Sequence, residues 1–188
     1  ADNAEAYDYY RSLETPFDTT NDALAILGRG DYQLASGGRF STRYSFSDND
    51  AKNANATGNA LADTTVSALS NNGTEKDRTN TFVGQYTTTI RSNVLFETRG
   101  QYSQERRPRD ANEKTPLVTD AVGNYGTVSF LGENIQRDWR LQAAANLTGV
   151  VGRHTMKAGL EFNHVDAYQK FGFNQFGTWN LTGTATNA

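Results

Sequence analysis

Cysteine is absent, so neither a disulfide framework nor a thiolate metal site can form. Only 2 histidines and 3 prolines occur. Charge of either sign is also lacking in excess: Lys+Arg is 18 against Asp+Glu 21, a formal net charge of -3. That balance excludes the basic stripe of a general nucleic-acid binder, so no nucleic-acid partner is expected. No apolar run approaches the ~18 residues of a transmembrane helix, and no signal peptide is visible at Ala1. Hydrophobic residues make up 36% of the 188, below the ~45–50% usual for a soluble globular domain. The chain starts without Met and ends in a Thr/Gly/Asn/Ala stretch, which leads us to expect a fragment or processed segment.

What is present is alternation. Helical periodicity is confined to residues 4–13, AEAYDYYRSL, a short helix or loop. Elsewhere the period is two, which predicts strands. Six are expected, at about 22–34, 39–47, 81–90, 94–106, 135–148 and 155–168. One face carries Leu24, Ile26, Phe40, Tyr44, Phe46, Phe82, Tyr86, Phe96, Tyr102, Trp139, Leu141, Leu160 and Phe162. The other carries Arg39, Arg43, Glu97, Arg99, Asp138, Arg140, Lys157 and Glu161. The strands fall into three hairpins with short turns at 35–38, 91–93 and 149–154. The connections between hairpins, about 48–78 and 107–134, are long and polar, and a third loop starts beyond 169.

Short turns at one end and long loops at the other match transmembrane β-barrels of the outer-membrane type, whose loops are extracellular. Such strands need only ~9–11 residues to cross. Their outer face meets lipid and their inner face meets water or a plug, so little dry core is required. The expected fold is therefore all-β: one antiparallel meander of long hairpins over residues 1–188, part of an outer-membrane barrel. The eight charged residues named above would face the lumen. The aromatic and aliphatic set from Phe40 to Phe162 would face lipid, with Tyr44, Tyr86, Tyr102, Trp139 and Tyr168 in interfacial girdles. A cross-strand ion pair between Glu97 and Arg140 is expected if their strands pair. A soluble sandwich also alternates, but its strands usually run only ~5–6 residues.

Chemistry-bearing groups are few. His154 lies at a turn, and Glu161 and His164 fall on opposite strand faces, so no metal site is expected. Asp48, Asp50 and Lys52 begin an EF-hand-like spacing, but Asn53 and Asn59 stand where its Gly and Glu belong. Asn55 and Asn72 open N-x-T sequons. No Ser/His/Asp grouping or phosphate loop appears, so neither enzyme activity nor a cofactor is expected. The cluster RRPRD, 106–110, lies just beyond a strand on the outer side, where it can meet anionic lipopolysaccharide or sit as a solvated loop base.

Two stretches resemble a known family. ILGRGDYQLASGGRFSTRYSFSDND is similar to a hairpin of TonB-dependent outer-membrane receptors, of the type carrying a carboxypeptidase-regulatory-like N-terminal domain. Asp31, Tyr32, Arg43 and Tyr44 match it. GRHTMKAGLEFNHVDAY is similar to a second recurring hairpin, through Gly152, His154, Met156, Lys157 and Gly159. The resemblance covers about residues 20–170. It implies solute uptake through a barrel of about 22 strands, a plug, and an energy-transducing inner-membrane complex as partner. No plug, TonB box or C-terminal aromatic strand is visible. The six strands would then be consecutive mid-barrel strands, with edges covered by further strands of the parent chain or by neighbouring subunits. A structural or adhesive outer-membrane protein, whose long loops bind partners, stays open as the second class.

Overall fold

In the computed structural model, residues 15–53, 66–120 and 123–181 are described, together with 5, 8, 9, 12 and 13. Glu5, Asp8, Tyr9 and Ser12 have helical backbone and Leu13 is in a turn; residues 4, 6, 7, 10 and 11, Asn55 and Asn59 lie outside the described residues.

Six long strands form one sheet: β1 Thr20–Gln33, β2 Arg39–Lys52, β4 Gly73–Arg91, β5 Val94–Ala111, β8 Glu133–Val151 and β9 His154–Lys170. Their order in space is their order in sequence, and every neighbouring pair is antiparallel. The strands run well past the expected ends. β2 continues to Lys52, β4 begins at Gly73, β5 reaches Ala111 and β8 begins at Glu133. Much of what reads as loop at 48–78 and 107–134 is therefore sheet. The hairpin turns are correspondingly tight. Residues 92–93 and 152–153 close two of them, and Leu34 to Gly38 closes the third. Gly152 has φ +59°, a left-handed value that glycine adopts freely, whereas Ser92 and Asn93 close their turn without one.

At the opposite end the long connections fold into a second, small sheet. It joins β10 Thr178–Asn180, β6 Leu117–Thr119, β7 Gly123–Tyr125 and β3 Val66–Ser67. β10 with β6 and β3 with β7 are parallel, so the antiparallel rule holds for the large sheet only. This cap holds most of the dry interior of the described residues. Leu131, Val128, Tyr125, Val118 and Ala68 are buried there. Asparagine side chains tie the segments together. Asn71 donates to Gly126 O at 2.9 Å, and Asn112 donates to Asn53 Oδ1 at 2.8 Å and to Leu69 O at 2.9 Å. Asn72, read from sequence as a sequon in an open loop, is fully buried and donates to Ala68 O, which leaves it inaccessible to modification.

Candidate functional site

The register sorts the large sheet into two faces. Cα partners share a face, because side chains alternate along each strand. Phe40 lies opposite Tyr86, Tyr44 opposite Phe82, Phe82 opposite Tyr102, and Tyr102 opposite Leu141. Ala143 lies opposite Phe162 and Ala145 opposite Leu160. Following these pairs from strand to strand puts all the expected apolar residues, Phe46, Phe96 and Trp139 included, on one face. Among the described residues nothing covers that face. Tyr102 is 44% exposed, Phe162 55% and Leu160 84%. The sheet's buried apolar residues, Ala51 and Val83, belong to the other face. A soluble protein does not leave so wide an apolar patch open, so the apolar face has no dry core of its own.

The second face is mostly polar, interrupted by Leu27, Val83, Leu95 and Val165, and the eight charged residues expected in the lumen share it. Arg39 lies opposite Thr87, which lies opposite Glu97. Arg43 lies opposite Val83 and then Gln101; Arg99 lies opposite Ala144 and then Glu161. Lys157 lies opposite Thr148, and Asp138 opposite Glu105. The expected ion pair of Glu97 with Arg140 does not form. Glu97 meets Asn146, while Arg140 meets Ser103 and donates to Asn163 Oδ1 at 2.9 Å. Six residues of extended strand separate the two, roughly 20 Å.

Near the turns, Asp31 is a junction. It accepts from Arg29 Nε at 2.9 Å, from Arg39 at 3.1 Å and from the Ser41 hydroxyl. Arg29, Ser41, Arg43, Gln85 and Arg99 line one shallow, open depression beside it. Arg29 and Arg43 are direct cross-strand partners, and Arg43 has no ion-pair partner among the described residues. Towards the cap, ion pairs lace the same face. Arg107 Nε lies 2.8 Å from Glu105 Oε1, and Arg109 Nε lies 3.2 Å from Glu75 Oε2. Arg107 and Arg109 belong to the cluster RRPRD, read from sequence as lying beyond the strand, but 106–110 are part of β5; Glu75 escapes the sequence pattern because it sits where alternation of apolar residues has stopped.

On the apolar face the charges begin abruptly at the cap end. Arg78 makes a two-pronged contact with Asp48, at 3.0 and 3.1 Å, and Lys76 lies 3.0 Å from Asp50. These pairs occupy the carboxylates of the EF-hand-like stretch. Among the described residues no three His, Cys, Asp or Glu side chains converge on a metal-sized point. Just below the charges sit aromatic rings. Tyr102 and Trp139 are 6.3 Å apart, and Trp139 and the His164 ring 5.0 Å. His164 thus belongs to an aromatic band, while His154 starts β9 opposite Val151.

An uncovered apolar face, a wet opposite face, tight turns at one end and long connections at the other define an outer-membrane β-barrel protein. The family model for the outer membrane beta barrel domain matches residues 2–188, and the chain belongs to that family. Its place is accordingly the outer membrane. No curated protein and no solved structure matches the chain.

Proposed function

We propose that the chain forms part of the wall of a receptor-type barrel that takes up a solute across the outer membrane, driven from the inner membrane. The observation that carries this is the polar face. It is wet and charged from Arg39 at the turn end to Arg109 and Glu75 at the cap end. A wall that only anchored a protein in lipid would have no use for unpaired cations such as Arg43 on its inner side. The resemblance of two hairpins to TonB-dependent receptors supports the same reading. Asp31, one of the matched residues, ties three side chains at the foot of the first hairpin.

In this reading the remaining wall and a plug come from the parent chain or from neighbouring subunits, and the inner-membrane complex supplies the energy. The test is site-specific crosslinking in cells from the full-length protein to that complex, with and without the proton-motive force. Crosslinks that depend on energisation are the expected result. No crosslink in either state overturns the uptake reading.

The folded cap favours a second reading, a structural or adhesive outer-membrane protein. Its connections are packed around Leu131 and Val128 rather than left as open loops, so they present a defined surface outside the cell. Partner binding by the cap that is indifferent to energisation, together with absent crosslinks, would select it.

A further inference from the structure

The register brings three arginines side by side on the apolar face. Arg78 of β4 lies directly opposite Arg106 of β5, which lies directly opposite Arg137 of β8. Neighbouring strands are about 4.8 Å apart, so three cations fall within about 10 Å. Like charges directly opposite one another destabilise a sheet. The polar face at the same height shows the ordinary remedy: Arg107 lies against Glu105 and Arg109 against Glu75. The arginine row lacks it. Arg78 is bonded to Asp48, but Arg137 only lies over the Tyr168 ring, 4.8 Å from its centroid. Arg106 has no side-chain partner among the described residues and is exposed. The other charges of this face at the cap end are Asp166, opposite Trp139, Asp22, opposite Asp50, Asp110, opposite Thr74 and Glu133, Lys52, opposite Thr74, and the Lys76–Asp50 and Lys170–Glu133 pairs. Of the carboxylates on this face only Asp48 bonds to the row, and neither Arg106 nor Arg137 has a carboxylate partner among the described residues.

Height decides what neutralises the row. Immediately on the turn side lies the aromatic band of Tyr102, Trp139 and His164. Such rings mark the boundary between hydrocarbon and headgroups. The row sits one step further out, on the long-connection side, where headgroup phosphates lie.

We propose that Arg78, Arg106 and Arg137 bind the phosphorylated headgroup of an outer-leaflet glycolipid, with Tyr102 and Trp139 against its acyl chains. Guanidinium groups suit phosphate because their paired N–H donors match two of its oxygens. The proposal rests on the barrel reading, in which the apolar face meets lipid.

The experiment uses the full-length protein in detergent micelles, titrated with bisphosphorylated lipid A and followed by native mass spectrometry. Arg106→Gln with Arg137→Gln is compared with Arg109→Gln on the polar face. The double variant is expected to lose roughly thirtyfold in affinity, roughly fivefold per arginine, and Arg109→Gln is expected to bind as the parent does. Equal binding by the double variant overturns the proposal. So does equal binding of dephosphorylated lipid A, or displacement of the lipid by equimolar inorganic phosphate, which would mark a free-anion site. A single cysteine at Phe96, probed in membranes with a lipid-phase quencher, separates the two levels. Quenching at that position with unchanged lipid A binding sinks the headgroup site alone; no quenching sinks the lipid-facing assignment beneath it.

Discussion

Leu131 shows how the cap is held at the level of single residues. Its side chain is fully buried, and truncation leaves a cavity that the surrounding turns cannot close. Leu131→Ala should lower the local stability of the cap by about 2–5 kcal/mol. The check is hydrogen exchange, with faster exchange at the cap ends of β4 and β5, where Leu131 lies beside Gly73, and no change at their turn ends. Gly126 supplies a second case. Its φ is +74°, and an added Cβ would run into the Pro116 carbonyl oxygen. Gly126→Ala combines left-handed strain of about 1–3 kcal/mol with that clash, and should open the cap to proteolysis. A protease digest that matches the parent protein would contradict it. Glu133 responds to pH. The carboxylate accepts from Lys114 and Lys170, and the hydrogen bond from Lys114 first of all holds it below its ordinary value of 4.5. A depressed carboxyl stabilises the folded form above its unfolded pKa and loses that contribution as pH falls through the folded pKa. Exchange of the amides around Lys114 and Lys170 should therefore rise on acidification below about 4.5, and Glu133→Gln should abolish the dependence. The group is exposed, so the effect stays local and shrinks with added salt.

At the scale of the strand, parity makes the sharpest claim. Gly100 on the apolar face has open space where a Cβ would stand, and its neighbour Gln101 lies on the polar face. Gly100→Arg should therefore cost about 1–2 kcal/mol in a bilayer, between the cost of a midplane cation facing lipid and the smaller cost near an interface. Gln101→Arg should cost close to nothing. Unfolding by denaturant from lipid vesicles measures both, and equal costs would defeat the assignment of faces. The same parity explains what was legible in the sequence. From Phe82 to Tyr102 one face is apolar and one polar, so period two shows plainly. From Gly73 to Asn80, GTEKDRTN, both faces are wet and both are polar. The alternation vanishes although the strand does not, and the segment reads as loop. β4, β5 and β8 run 19, 18 and 19 residues, far beyond the ~9–11 that a bilayer requires. The hidden part is the part outside the membrane. The cap was illegible for a related reason. Asparagine side chains and left-handed glycines build it, and composition marks these only as loop. Register was the other gap: the faces of Glu97 and Arg140 could be read from alternation, but their separation along the strands depends on where the turns fall.

The whole molecule poses a pairing problem that its own strands do not solve. β1 and β9 are the two edges of the large sheet, and every residue in both is exposed. Within an edge strand, alternate N–H and C=O groups point away from the only neighbour. In water such an edge invites aggregation. In hydrocarbon each unpaired group costs several kcal/mol, and only closed barrels escape that cost. A chain whose apolar face meets lipid therefore needs both edges paired. The expectation is that further strands of the same protein, or of neighbouring subunits, continue the register on each side and keep the apolar face outward. Hydrogen exchange in membranes reads this directly. If the edges are paired, consecutive amides along β1 and β9 exchange equally slowly. If they are open, every second amide exchanges fast while its neighbours stay protected through β2 or β8. That two-residue ripple in intact membranes would mean that the sheet is not part of a closed wall.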